Sequence, residues 1–78
     1  MDAKDVIMNR LGVYASEYAY WKMERHDEGM ARMERHAFYA VLGIAVSLGY
    51  VESVDAGKKM LDEAVDDAED MAMGEAAQ

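Results

Sequence analysis

Along the first third of the chain, apolar residues recur at alternating intervals of four and three: Ile7, Leu11, Tyr14, Tyr18 and Trp21. That spacing keeps one stripe of an α-helix apolar, a heptad seam of the kind that packs against a second helix. Val6, Val13 and Tyr20 form a parallel line about one helical step round, which predicts that this helix meets more than one neighbour. Asp2 is a good N-cap, so the pattern predicts a helix over about residues 3–26.

The break is expected near His26-Asp27-Glu28-Gly29. Arg25 and His26 suit a helix C-terminus, Asp27 and Glu28 suit the start of the next helix, and Gly29 eases the turn. No proline enforces the break, so one continuous helix through residues 25–30 is the alternative. A second helix is predicted over about 28–48. Its first half alternates charge with Met30, Met33 and Ala37; its second half carries Phe38, Tyr39, Val41, Leu42, Ile44, Val46 and Leu48 on nearly every side. A helix that is apolar all round is expected to be buried all round, and Ala40, Gly43 and Ser47 would admit a neighbouring backbone closely. Gly49 is placed to end it as a left-handed cap. Ser53 then caps a third helix over about 54–73, striped by Val54, Gly57, Leu61, Ala64, Ala68 and Met71. Residues 74–78 are expected to fray.

The expected fold class is all-α: one domain over residues 1–73, a three-helix up-down-up bundle made of a helical hairpin and an acidic third helix. Short connections make consecutive helices antiparallel. At 78 residues the chain buries only a modest core, where oligomerisation often adds support, and homodimerisation through the second helix is expected. Cysteine is absent, which excludes disulfides and thiolate chemistry. The longest charge-free run, 37–51, is shorter than the roughly 20 residues a membrane span needs. The start, Met1-Asp2-Ala3-Lys4-Asp5, lacks the basic and apolar pattern of a signal peptide. A soluble, cytoplasmic protein with no membrane partner is the expectation.

Charge changes the picture toward the end of the chain. Residues 1–50 carry six basic and seven acidic side chains, and residues 51–78 carry two and nine, which accounts for the net charge of −8. The acidic segment would repel phosphate backbones and argues against direct nucleic-acid binding. Antiparallel packing would instead bring it toward Lys22, Arg25, Arg32 and Arg35, so that basic and acidic clusters meet.

Three constellations are candidates for function. The third helix presents Asp62, Glu63, Asp66, Asp67, Glu69 and Asp70 away from its apolar stripe. Asp62–Asp66 and Asp66–Asp70 are like-charged pairs four apart, each unfavourable by a few tenths of a kcal/mol. Such a ladder could imitate a phosphate backbone and dock on a protein with a basic surface; equally, it could be a solubilising face. Tyr20, Met23, Tyr39 and Tyr50 fit the core stripes least well and are candidates for a dimer or partner surface. Met23-Glu24-Arg25-His26 echoes in Met33-Glu34-Arg35-His36. With it, Glu24, His26, Asp27, Glu28 and His36 form a possible divalent-metal set, against the alternative of a salt-bridged surface corner. Their spacing matches no familiar ligand pattern, and no cofactor is expected.

Catalysis has little to work with: no Cys or Thr, three serines without a placed histidine, and no Gly-rich phosphate loop. The run Leu48-Gly49-Tyr50-Val51-Glu52-Ser53, continued by Ala56 and Leu61-Asp62-Glu63-Ala64, resembles a pattern common in short helical reading frames of phages and mobile elements. That resemblance covers about a quarter of the chain and supplies no site residues. It implies an accessory or inhibitor role. The expected function is therefore non-enzymatic protein–protein interaction, with a small metal-binding helical protein or a purely structural oligomerisation module as alternatives.

Overall fold

The computed structural model describes residues 2–76, with side chains as far as Met71. It consists of three helices, with no strand among the described residues: α1 (Ala3–Ala19), which continues as a π-helical turn (Tyr20–Glu24), α2 (Glu28–Ser47) and α3 (Val54–Ala76). The expected frayed segment, 74–78, falls where side chains and, past Ala76, backbone lie outside the described residues. The molecule is elongated, 43 × 24 × 24 Å.

Helix starts follow from side-chain caps. The Asp2 carboxylate accepts the Asp5 N–H at 2.9 Å, the Asp27 carboxylate accepts the Met30 N–H at 3.0 Å, and Ser53 Oγ accepts the Ala56 N–H at 3.1 Å. Each satisfies one of the N–H groups that a first turn leaves without a partner. Residues 25–27 are a turn, which settles the alternative of one long helix. The Arg25 N–H reaches the Tyr20 carbonyl at 3.2 Å and the Asp27 N–H reaches the Trp21 carbonyl at 2.9 Å. His26 adopts a positive φ of 51°, and the chain reverses there.

α1 is the element on which both others pack: its contact with α2 is the most extensive, and α2 and α3 touch little. Leu11, Phe38 and Leu42 are fully buried at the centre, joined by Ala15, Ala45, Val51 and Leu61. Ile7, Tyr14 and Tyr18 of the predicted seam pack against that cluster. The second α1 line does not: Val6, Val13 and Tyr20 are exposed. α1 does meet two neighbours, but Ala15 and Ala19, both buried, supply the extra contact. Ala19 faces a groove shared with Ala64 and Ala68 of α3. Small side chains here let the backbones approach, which bulkier residues would prevent.

α2 differs from its expectation in one respect. Phe38, Leu42 and Ala45 are buried, whereas Ile44 and Leu48 are each 54% exposed and Met33 is 65% exposed. Two neighbours cover only one side of a cylinder, so the opposite side of an all-round apolar helix faces out. The α3 stripe holds at its centre, with Gly57 and Leu61 buried, while Val54 and Met71 at its ends are exposed. Gly57 lies against α2, where a Cβ would overlap the Leu42 side chain.

Candidate interaction surfaces

Where α2 and α3 diverge, an open groove remains, floored by Tyr18, Leu61 and Val65 and rimmed by charge. Lys22 of the π-helical turn, Arg35 of α2 and Lys58 of α3 line it together with Asp62 and Asp66. The Lys22 ammonium donates to Tyr18 Oη at 3.2 Å, and the Arg35 guanidinium lies 5.6 Å from the Tyr39 ring centroid, within cation–π range. The up-down-up course of the chain thus brings part of the basic first turn beside part of the acidic helix, as the charge pattern predicts. A second recess continues the charged rim through Arg32 and Glu28.

All six acidic-face residues, Asp62, Glu63, Asp66, Asp67, Glu69 and Asp70, are exposed. They do not all look the same way. Asp62 and Asp66 border the basic groove, and Asp67 lies on the other flank of α3 beside Glu24 of the π-helical turn. Between these flanks Glu63 and Asp70 fall on the outermost side, opposite buried Leu61 at the helical repeat of 3.6 residues.

The four aromatic and Met candidates separate. Tyr20 is exposed, with its ring edge-on to Trp21 at 5.2 Å between centroids. Met23 is half-buried in the π-helical turn. Tyr39 and Tyr50 pack against the core cluster, Tyr39 edge-on to Phe38 at 5.6 Å. Their large rings bury an apolar body at the margin of the core, so of the three tyrosines only Tyr20 is exposed.

The five possible metal ligands are not drawn together. Glu24 lies on the α1–α3 side, Glu28 on the α1–α2 side, and His36 shares a shallow recess with Arg35 and Tyr39. The Asp27 carboxylate is occupied in capping α2. Among the described residues no three His, Asp or Glu side chains form a group able to hold a metal ion.

The outer side of α2 carries Met33, Ala40, Ile44, Ser47 and Leu48, all exposed, with Met30 and Ala37 half-buried beside them; of these, Ile44 and Leu48 lie in the half that the sequence led one to expect buried all round. Its signal was present in the alternating three-and-four spacing of those positions. It was hidden because the buried side of the same helix is equally apolar. Among the described residues no polar or charged side chain is buried. No helix among them is long and apolar enough to cross a membrane. No protein-family model, curated protein or solved structure matches the chain.

Proposed function

We propose that this chain is a non-enzymatic interaction protein that docks the acidic face of α3 on a protein with a basic surface. The observation that carries this reading is the exposure of all six carboxylates, Asp62 to Asp70, on one continuous helix. Repulsion between acids four apart disfavours such a ladder in isolation. A cationic partner reverses that sign and also speeds encounter by long-range attraction. A carboxylate ladder of this kind suits a target that ordinarily grips phosphates, such as a host nucleic-acid-binding or defence protein. The role is then that of a cytoplasmic accessory or inhibitor of the phage or mobile-element type. The chain acts as a homodimer joined through α2, which leaves α3 free.

The test is charge reversal. Affinity capture from a host lysate with the wild-type chain is compared with capture by Asp66→Lys/Asp70→Lys, circular dichroism confirming equal helicity. Selective loss of one retained protein supports docking through α3. An identical retained set sinks it.

A purely structural oligomerisation module is the second reading, favoured by the exposure of Met33, Ile44 and Leu48 on α2. It gains if the chain self-associates and both baits retain nothing specific.

A further inference from the structure

On the side of α2 away from Phe38, Leu42 and Ala45, residues Met30, Met33, Ala37, Ala40, Ile44 and Ser47 recur at intervals of three, four, three, four and three. This is the seam of a coiled coil; Met33, Ala40, Ile44 and Ser47 are exposed along it, and Met30 and Ala37 are half-buried. Single exposed apolar residues need no explanation. A heptad seam along one helix, continued by Leu48 and free of charge from Ala37 onward, is a contiguous patch of the kind that marks an interface.

We propose that the occupant is α2 of a second copy, paired antiparallel about a two-fold axis that passes between the Phe38 and Tyr39 positions. Met33 of each copy then packs against Ile44 of the other, and Ala37 against Ala40. The inference rests on the homodimer part of the proposed function and adds its geometry. The small residues Ala37 and Ala40 fall at the crossing point, where backbones come closest, and the large Met33 and Ile44 fill the space on either side. A parallel pair would set Ala37 on Ala37 and Ile44 on Ile44, alternating gaps with crowding. Overlap is also longest in this register, because residue 30 faces residue 47 and nearly the whole helix is used.

Charge separates the two orientations more strongly. Asp62 and Asp66 share a groove with Arg35, and Asp67 lies beside Glu24, so the acidic part of α3 sits at the end of the bundle where α2 begins. A parallel dimer would place both acidic segments at one end. The antiparallel dimer holds them roughly 30 Å apart, a helix length, well beyond the ~8 Å over which salt leaves charges interacting. Opposed helix dipoles add to the preference.

Two helices meeting along about 27 Å bury on the order of 500 Å² on each copy, roughly 1,000 Å² in total, the lower edge for a specific interface. A dimer held by so small an interface is expected to dissociate on dilution.

The chain has no cysteine, so single introduced thiols report geometry cleanly. Met33→Cys and Ile44→Cys variants are mixed and oxidised gently at a concentration where light scattering shows dimer. The antiparallel pair predicts mainly the mixed disulfide between the two variants; disulfides only within each variant overturn the orientation and leave self-association standing. In parallel, Ile44→Asp alters an exposed position and is expected to keep helicity while weakening dimerisation at least tenfold. A dimer indifferent to Ile44→Asp overturns the α2 interface. A monomer up to about 1 mM overturns both the geometry and the homodimer part of the function, while docking through α3 remains to be decided by the charge-reversed bait.

Discussion

The two reversals of the chain perform the same task with different chemistry. At the second, α2 ends on Leu48 and Gly49 takes a φ of 78°. The Gly49 N–H bonds the Val46 carbonyl at 3.0 Å and the Tyr50 N–H bonds the Ala45 carbonyl at 2.8 Å, the paired bonds of a Schellman closure. Buried Val51 then anchors the connection to the core. At the first, the left-handed residue is His26, and the helix before it widens into a π turn rather than closing on the usual pair of bonds. Glycine adopts positive φ without steric penalty, whereas a Cβ makes the same conformation unfavourable by about 1–2 kcal/mol. The second reversal is therefore relaxed and the first is held by its surroundings. Strain of this sort persists where neighbouring structure fixes it, here through the Asp27 cap and the bonds reaching back to Tyr20 and Trp21.

Substitutions around the two reversals test this contrast. The following are expectations for chemical denaturation at one fixed protein concentration, since dimerisation would otherwise enter the result. The largest effect belongs to the helix that follows the second reversal. Gly57→Ala drives a methyl group into fully buried Leu42, and overpacking of this kind destabilises by about 1–3 kcal/mol. A neutral result would mean that α3 slides easily on α2. Next comes Gly49→Ala: nothing lies within 4 Å of the added Cβ, so the loss of about 1–2 kcal/mol is one of backbone conformation alone. If Gly49→Ala is tolerated, the closure seen here is not what ends α2. Asp27→Ala and Ser53→Ala remove one cap from each reversal and should each destabilise by about 1 kcal/mol. A much larger loss at Asp27 would show that the cap also restrains His26. Smallest, and opposite in sign, His26→Gly should raise stability by up to ~1 kcal/mol, relief of the Cβ clash being partly offset by glycine's greater freedom when unfolded. A fall in midpoint would mean that the His26 side chain contributes more than its backbone conformation loses.

Legibility in the sequence followed how local the determinants are. Asp2, Ser53 and Gly49 act through neighbours a few residues away, and their roles could be read directly. The same holds for Leu11 and Leu61, each at the centre of an amphipathic stripe. The π turn could not be read, because nothing in Tyr20-Trp21-Lys22-Met23-Glu24 distinguishes it from ordinary helix. Buried Ala15, Ala19 and Ala31 were missed because an alanine carries too little apolar surface to mark a stripe. The run from Ala37 to Leu48 gave a helix but no phase: a segment apolar on all sides does not say which side the chain will cover. For the candidate sites, exposure of Asp62 to Asp70 was legible from their place opposite Leu61. The separation of the metal candidates was not, since Glu24, Glu28 and His36 lie close along the chain yet open onto different recesses. Tyr39 and Tyr50 were assigned outward because they left the stripe, yet their rings reach back to the core margin.

The apolar character of the core among the described residues has a consequence for how this sequence can vary. No buried hydrogen bond or ion pair among the described residues ties one core side chain to a particular partner. Exchanges among aliphatic residues that conserve total volume are tolerated in such interiors, often for less than about 1.5 kcal/mol each. Exchange among aliphatic residues should therefore be tolerated at Leu11, Leu42 and Leu61, while Gly49 is held by its positive φ and Gly57 by the Leu42 side chain against it. A saturation-mutagenesis map of this chain would show core positions that accept other apolar residues of similar volume and reject small or polar ones, beside a glycine requirement at the second turn.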